Sequence, residues 1–340
     1  MDASDLPASQ PFLIKLPDMA PYLRHSSCPK SVEAFIEAKC PVVHVHVVTF
    51  DDLTFIGVTN AHVAFDAVGT GTLLDAWARV INRTDINDIV GMKWDTQAFQ
   101  SFAGPTKVAK QRGWYDLGLV QQVLFIAFLR EIMENLKNEG STEWVGSSDI
   151  LTACAMGHRK DSTPIHIHLP INLRGKPEFP VLSSPYIYIN NTVLSIGISP
   201  IPASMFQKES VGQLALRFRR AILAYNADPV GMLDDLHWRC AYPGKMLFPC
   251  PPGAEYSFQS SWRAARFGKL DFSAQSQIEG KQPGKGRVVF VCPLFTSGKA
   301  YPLRGSGAVL MEDEEAIWMN QFRGEKDWEE VRRSGDLLFV

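Results

Sequence analysis

Three hundred and forty residues suffice for one large domain or two of medium size. Lys and Arg number 34 against 36 Asp and Glu, a net charge of −2, so no bulk field exists to make nucleic acid or an anionic membrane the primary partner. With 46% hydrophobic and 21% charged residues the chain has globular composition, which excludes intrinsic disorder. The six cysteines hold no Cys-x-x-Cys pair, which argues against a thiolate zinc module and fits a reducing compartment.

The start, Met1 to Asp5, is acidic and lacks the cationic and apolar regions of a secretory signal. The longest apolar runs, Val123–Leu129 and Val288–Phe295, fall well short of the roughly 18 residues of a membrane span. A soluble, cytoplasmic protein is expected.

Residues 1–30 carry five prolines and read as an extended, loop-rich entry. Ser31 reads as the N-cap of a short helix ending near Lys39. Val42–Phe50 and Leu53–Thr59, split by Asp51 and Asp52, read as two strands joined by a tight turn. Leu73, Leu74, Trp77 and Ile81 recur at helical spacing behind Gly69 and Gly71, which predicts a buried helix.

Residues 82–115 show no sustained period and hold Gly104-Pro105, the best linker in the chain. Val123–Phe128 fits either a buried strand or the start of a helix toward Lys137. Ser147, Ser148 and Asp149 cap the apolar run Ile150–Met156. Ile165–Leu169, Tyr186–Ile198 and Arg287–Cys292 are strand-like. Ser210–Tyr225 reads as an amphipathic helix with Arg217, Arg219 and Arg220 mostly on its wet side, and Glu312–Phe322 as a helix with an acidic first turn. Strands and helices in this order predict an α/β sandwich of two lobes, residues 1–115 and 116–340, with the linker at 82–115.

His62-Val-Ala-Phe-Asp66 stands where a strand ends and a glycine-punctuated helix begins, a place where active-site loops collect. An imidazole, with an ordinary pKa of about 6.5, accepts a proton from a hydroxyl near neutrality. The pentapeptide alone fits a capped turn with a hydrogen-bonded histidine equally well.

The wider sequence decides between them. Val45–Ile81 resembles the fungal, trichothecene-O-acetyltransferase-like branch of the BAHD acyltransferases, coenzyme A-dependent enzymes marked by His-x-x-x-Asp. Ser147–Ala153 (SSDILTA), Ile171–Lys176 (INLRGK) and Gln259–Phe272 (QSSWRAARFGKLDF) resemble further segments of that family, in family order. The resemblance implies a two-lobed fold like that of chloramphenicol acetyltransferase, with the histidine at the lobe interface. It implies transfer of an acyl group, expected to be acetyl, from acyl-CoA to a hydroxyl or amine of a small secondary metabolite.

Residue by residue, it assigns His62 as general base and Ser260 and Trp262 as oxyanion donors. Asp66 and Arg174 become a structural ion pair, Asp271 a structural remnant of Asp-Phe-Gly-Trp-Gly, and Ser148 and Lys285 contacts for coenzyme A. Acyl-CoA is a co-substrate and no permanent cofactor or metal is expected, in a monomer. Two departures stand out. Only Asp271-Phe272 survives of the second motif, and family members carry on the order of 100 residues more at the front (compare the usual domain size), which predicts an incomplete first lobe. The alternative is a catalytically degenerate remnant that acts as a binding protein.

Two His-x-His pairs, His44/His46 and His166/His168, would each put two imidazoles on one strand face. With His158 or Asp161 nearby they suggest a metal-dependent hydrolase, while the simpler reading is polar residues on the wet face of a half-buried strand. Gly280–Gly286 lacks the Gly-Lys-Ser/Thr ending of a phosphate loop and reads as a hairpin turn.

Overall fold

The computed structural model describes residues 12–13, 16–92, 96–104, 111–118, 121, 164–183, 187–208, 211–243, 245, 247–251, 254–273, 286–294, 306–312, 317–322, 328–329, 333 and 338–339. The expected elements at 123–137 and 147–156, with Ser148, and the turn carrying Lys285 lie outside the described residues.

Strand β1 (Phe12–Leu13) precedes a one-turn helix, α1 (Ala20–Leu23), which occupies part of the expected extended entry; Pro21, in its first turn, lacks an N–H that would have been unsatisfied there anyway. Helix α2 (Val32–Ala38) is capped by Ser31, whose hydroxyl accepts from the Ala34 amide, and it stops at Lys39 in the left-handed conformation. Strands β2 (Val43–Thr49) and β3 (Thr54–Asn60) form the expected antiparallel hairpin, pairing Val45 with Val58 and Val47 with Ile56. Alternation puts His44 and His46 on the face covered by α1 and α2, where His44 meets Phe35 and His46 meets His25. Helix α3 (Ala67–Ile81) follows, and behind it come two short 3₁₀ turns, Ile86–Asp88 and Gln100–Phe102.

The larger sheet begins with β4 (Pro164–Asn172), then β5 (Val193–Gly197) and β6 (Ile201–Pro202). Helices α4 (Ala203–Lys208), α5 (Val211–Asn226) and α6 (Pro229–Ala241) come next, followed by β7 (Glu255–Ser261), β8 (Ser306–Glu312) and β9 (Ile317–Phe322). Strand β10 (Leu338–Phe339) closes the chain against β1. Among the described residues this sheet has the order β5-β4-β7-β8-β9, with β6 also on β4, and the β4–β7 and β7–β8 ladders are parallel. On one face of β4, Ile167 packs with Ile198, Ile201 and, from α5, Phe218 and Ala221. A second core gathers Leu173, Phe179, Leu182, Tyr188, Leu194, Met232 and Leu236 under α6.

Four sequence expectations need correction. Glu312–Phe322 is no helix: β8 ends at Glu312 and β9 starts at Ile317, paired antiparallel with a shift between Val309 and Met311. Of the described residues in Tyr186–Ile198 only Val193–Gly197 form a strand. Arg287–Cys292 contributes a single bridge, Arg287 to Asp271, while Val288 and Val291 pack beside Leu270. His166 and His168 lie on a dry face, buried against Tyr115 and Trp114. Burial depresses both histidines' pKa values; the neighbouring His168 adds to the shift at His166, while the Pro249 carbonyl opposes it at His168.

No helix among the described residues is long and apolar enough to cross a membrane.

Candidate active site

Asp66 is the N-cap of α3. Its Oδ1 accepts from the Gly69 amide at 2.8 Å, satisfying one of the first-turn N–H groups that a helix leaves open. The carboxylate is 3% exposed, and burying a charge so deeply is tolerable only with partners. Its Oδ2 has them: Arg174 Nη1 and the Thr192 amide, both at 2.9 Å, and the Thr192 hydroxyl at 3.4 Å.

Arg174 follows β4 and forms the expected ion pair with Asp66, but spreads its fork over several acceptors. One nitrogen reaches the carboxylate and Asn172 Oδ1, while Nε and Nη2 donate at 2.6 Å to the carbonyls of Tyr188 and Asn190. The guanidinium thus ties α3 to the backbone of 188–190 as well as to Asp66. Gly69 completes the fit, since a Cβ there would overlap the Ile189 carbonyl oxygen.

His62 lies four residues ahead of this buried knot, in the turn that leaves β3. Its residue is exposed, and its imidazole makes no hydrogen bond among the described residues. Its main chain is held: the His62 carbonyl accepts from Asn191 Nδ2 at 2.9 Å, and the Ala64 carbonyl accepts from the Asn191 amide at 2.9 Å.

Ser260 sits near the end of β7, opposite Ala308 of β8, and the Trp262 amide donates to Val309 at 2.7 Å. The Trp262 ring is half-buried, edge-on to Phe267, in an apolar cluster that also takes Ala67 and Leu74 of α3. Gly71 lies so close to the Ala265 carbonyl that a Cβ would collide with it. The helix that starts at Asp66 and the segment that follows Ser260 are therefore in direct contact.

Asp271 is exposed. Its carboxylate accepts from Ser273, which holds its pKa below the usual carboxylate range, and its main-chain carbonyl accepts from Asn82 at 2.7 Å. Phe272 stacks edge-on against Trp77. Among the described residues no group of three His, Cys, Asp or Glu side chains is placed to hold a metal, so neither His-x-His pair gains a third ligand. Ser148 and Lys285 lie outside the described residues.

The residues that sequence reasoning missed are Asn172, Asn190, Asn191 and Thr192. The signal was three consecutive polar residues, Asn190-Asn191-Thr192, inside an otherwise apolar run.

No protein-family model matches the chain. Acetyltransferase adrJ of Penicillium roqueforti is 24% identical over 307 residues, covering 78% of this chain and 62% of its own length. Acetyltransferase sphE of Aspergillus fumigatus is 28% identical over 369 residues, covering 92% of this chain and 70% of its own. O-acyltransferase pboC of Aspergillus ustus is 23% identical, covering 87% and 70%. The chain spans about two thirds of the length of these relatives, 62% for adrJ of P. roqueforti. Among solved structures, F. sporotrichioides TRI101, crystallised with coenzyme A and T-2, aligns with a TM-score of 0.50 at 14% identity, covering 95% of this chain and 79% of that one. Sequence and fold converge: the chain is similar to fungal acetyltransferases, and it shares the mixed α/β fold of F. sporotrichioides TRI101.

Proposed function

We propose that the protein transfers an acyl group, acetyl by preference, from acyl-CoA to a hydroxyl or amine of a small secondary metabolite in the cytoplasm, with His62 as general base. The observation that carries this reading is the pairing of an exposed His62 with a buried Asp66 knot, joined through α3 to the Ser260–Trp262 segment. His62 takes the proton as the acceptor's oxygen or nitrogen attacks the thioester carbonyl. Ser260 Oγ and the indole N–H of Trp262 donate to the oxyanion; the tetrahedral adduct then expels the thiolate, which recovers the proton from His62. The products are the acylated acceptor and free coenzyme A, with no acyl-enzyme between. Asp66 and Arg174 move no proton in this scheme; they hold the loop. Asp271 is structural, Ser148 and Lys285 touch coenzyme A, and the lobes divide at 115/116 in a monomer.

A second reading, a remnant that binds acyl-CoA or a small molecule without turnover, is favoured by one observation. The outer face of the β2–β3 hairpin leaves Val45 and Val47 49% and 51% exposed, an apolar surface of the kind that marks a binding face.

Incubation with acetyl-CoA and a panel of alcohols and amines, following free thiol, separates the two. Turnover that falls by about 10²–10⁴ in His62→Ala, at unchanged thermal stability, is the expected result. Coenzyme A binding with no thiol release from the wild type would install the remnant instead.

A further inference from the structure

Asn191 makes two contacts with the turn that carries His62. Its side-chain Nδ2 donates to the His62 carbonyl at 2.9 Å and its main-chain N–H donates to the Ala64 carbonyl, also at 2.9 Å. Its other side-chain polar atom, Oδ1, accepts from the Val193 amide at 3.4 Å, so the planar amide is also oriented from the start of β5. On either side of it Asn190 bridges Phe65 and gives its carbonyl to Arg174, and Thr192 donates to Asp66. Asn191 is thus set between two anchored neighbours.

From these contacts we infer that Asn191 is a positioning residue for His62, aiming the imidazole through the peptide that carries it. The inference rests on the reading of His62 as the base. Within the turn, Ala64 and Phe65 donate back to the Ala61 carbonyl at 2.8 and 3.4 Å, while α3 is fixed only from Asp66 onward. Among the described residues the His62 peptide therefore has one side-chain hydrogen bond to hold its orientation, and that bond comes from Asn191. Rotating this peptide swings the Cα–Cβ vector of His62 without disturbing the buried Asp66 knot. A displacement of about 1 Å at a reacting group is enough for a rate loss near 10²-fold, whereas substrate affinity depends on other contacts.

Asn191→Asp is the sharp test, because it keeps the shape and the acceptor for Val193 but turns an oxygen toward the His62 carbonyl. The expected result is a fall in kcat of about 10–10²-fold, with the acetyl-CoA KM and the Tm unchanged. In a His62→Ala background the same substitution has no further effect, as it must if Asn191 acts through the imidazole. Amide hydrogen exchange gives a readout independent of activity: Ala64 and Phe65 exchange about tenfold faster in Asn191→Asp while Gly69 is unchanged. Full kcat in Asn191→Asp, or an equal loss in both backgrounds, overturns the inference and leaves the base intact. Full turnover in His62→Ala overturns the base itself, and the inference with it.

Discussion

The β2–β3 hairpin and the larger sheet treat their two faces differently. In β2 the histidines turn inward against α1 and α2, and the valines between them stay about half exposed. In β4 both faces are covered: Ile167 packs under α5 while His166 and His168 are closed over by Trp114 and Tyr115. The candidate base stands at the end of the thinner sheet, yet the hydrogen bonds that hold its loop come from the thicker one, through Arg174 and residues 190–192. A flexible strand end can present a reactive group accurately when a rigid neighbour grips its backbone.

Arg174→Met should break this arrangement most severely. It strands the Asp66 carboxylate in a buried position and frees the carbonyls of Tyr188 and Asn190, for an expected loss of about 3–5 kcal/mol in denaturant unfolding. Ile167→Ala, a cavity in the sheet covered on both faces, should cost about 2–5 kcal/mol by the same measurement.

The buried histidines sharpen the contrast in pH. Both have folded-state pKa values below the ordinary imidazole value of about 6.5, so above that pH neither state holds the proton and their contribution is at its fullest. As pH falls below it the unfolded chain binds protons first, and stability is lost. A His166→Gln/His168→Gln variant should show a flatter Tm between pH 6.5 and the acid transition than the wild type. The smallest effect belongs to the outer hairpin face: Val45→Thr and Val47→Thr should each shift stability by about 0.5 kcal/mol or less. A loss above 2 kcal/mol would mean that these valines are covered in solution.

Much of the first hundred residues was legible because local chemistry decides it. Ser31 reads as a cap followed by helical periodicity and caps α2, while Asp66, read only as the partner of Arg174, proves to cap α3 as well. The same local logic failed at Glu312–Phe322, where an acidic run imitates a first helical turn while Ser306–Glu312 offers the following segment a ladder. It failed again at Tyr186–Ile198. There the carbonyls of Tyr188 and Asn190 are taken by Arg174, and the amides of Asn191 and Thr192 by Ala64 and Asp66, so no strand can use them. The His-x-His pair of β4 was misread as wet because nothing in its own sequence tells that residues 111–115 lie over it.

The sequence by itself offered the candidates: the His62–Asp66 spacing, the arginine of Asn172-Leu173-Arg174, the Ser260–Trp262 segment and the Ser31 cap. Those are properties of short stretches, where propensity and periodicity act over a few residues. Only the tertiary structure decided that Asp66 spends its second oxygen on Arg174 and Thr192, and that the peptide of His62 is held by Asn191, 129 residues away. The reason is that a buried charge or an open carbonyl must find a partner wherever the fold brings one, and that partner is set by the packing of the two sheets.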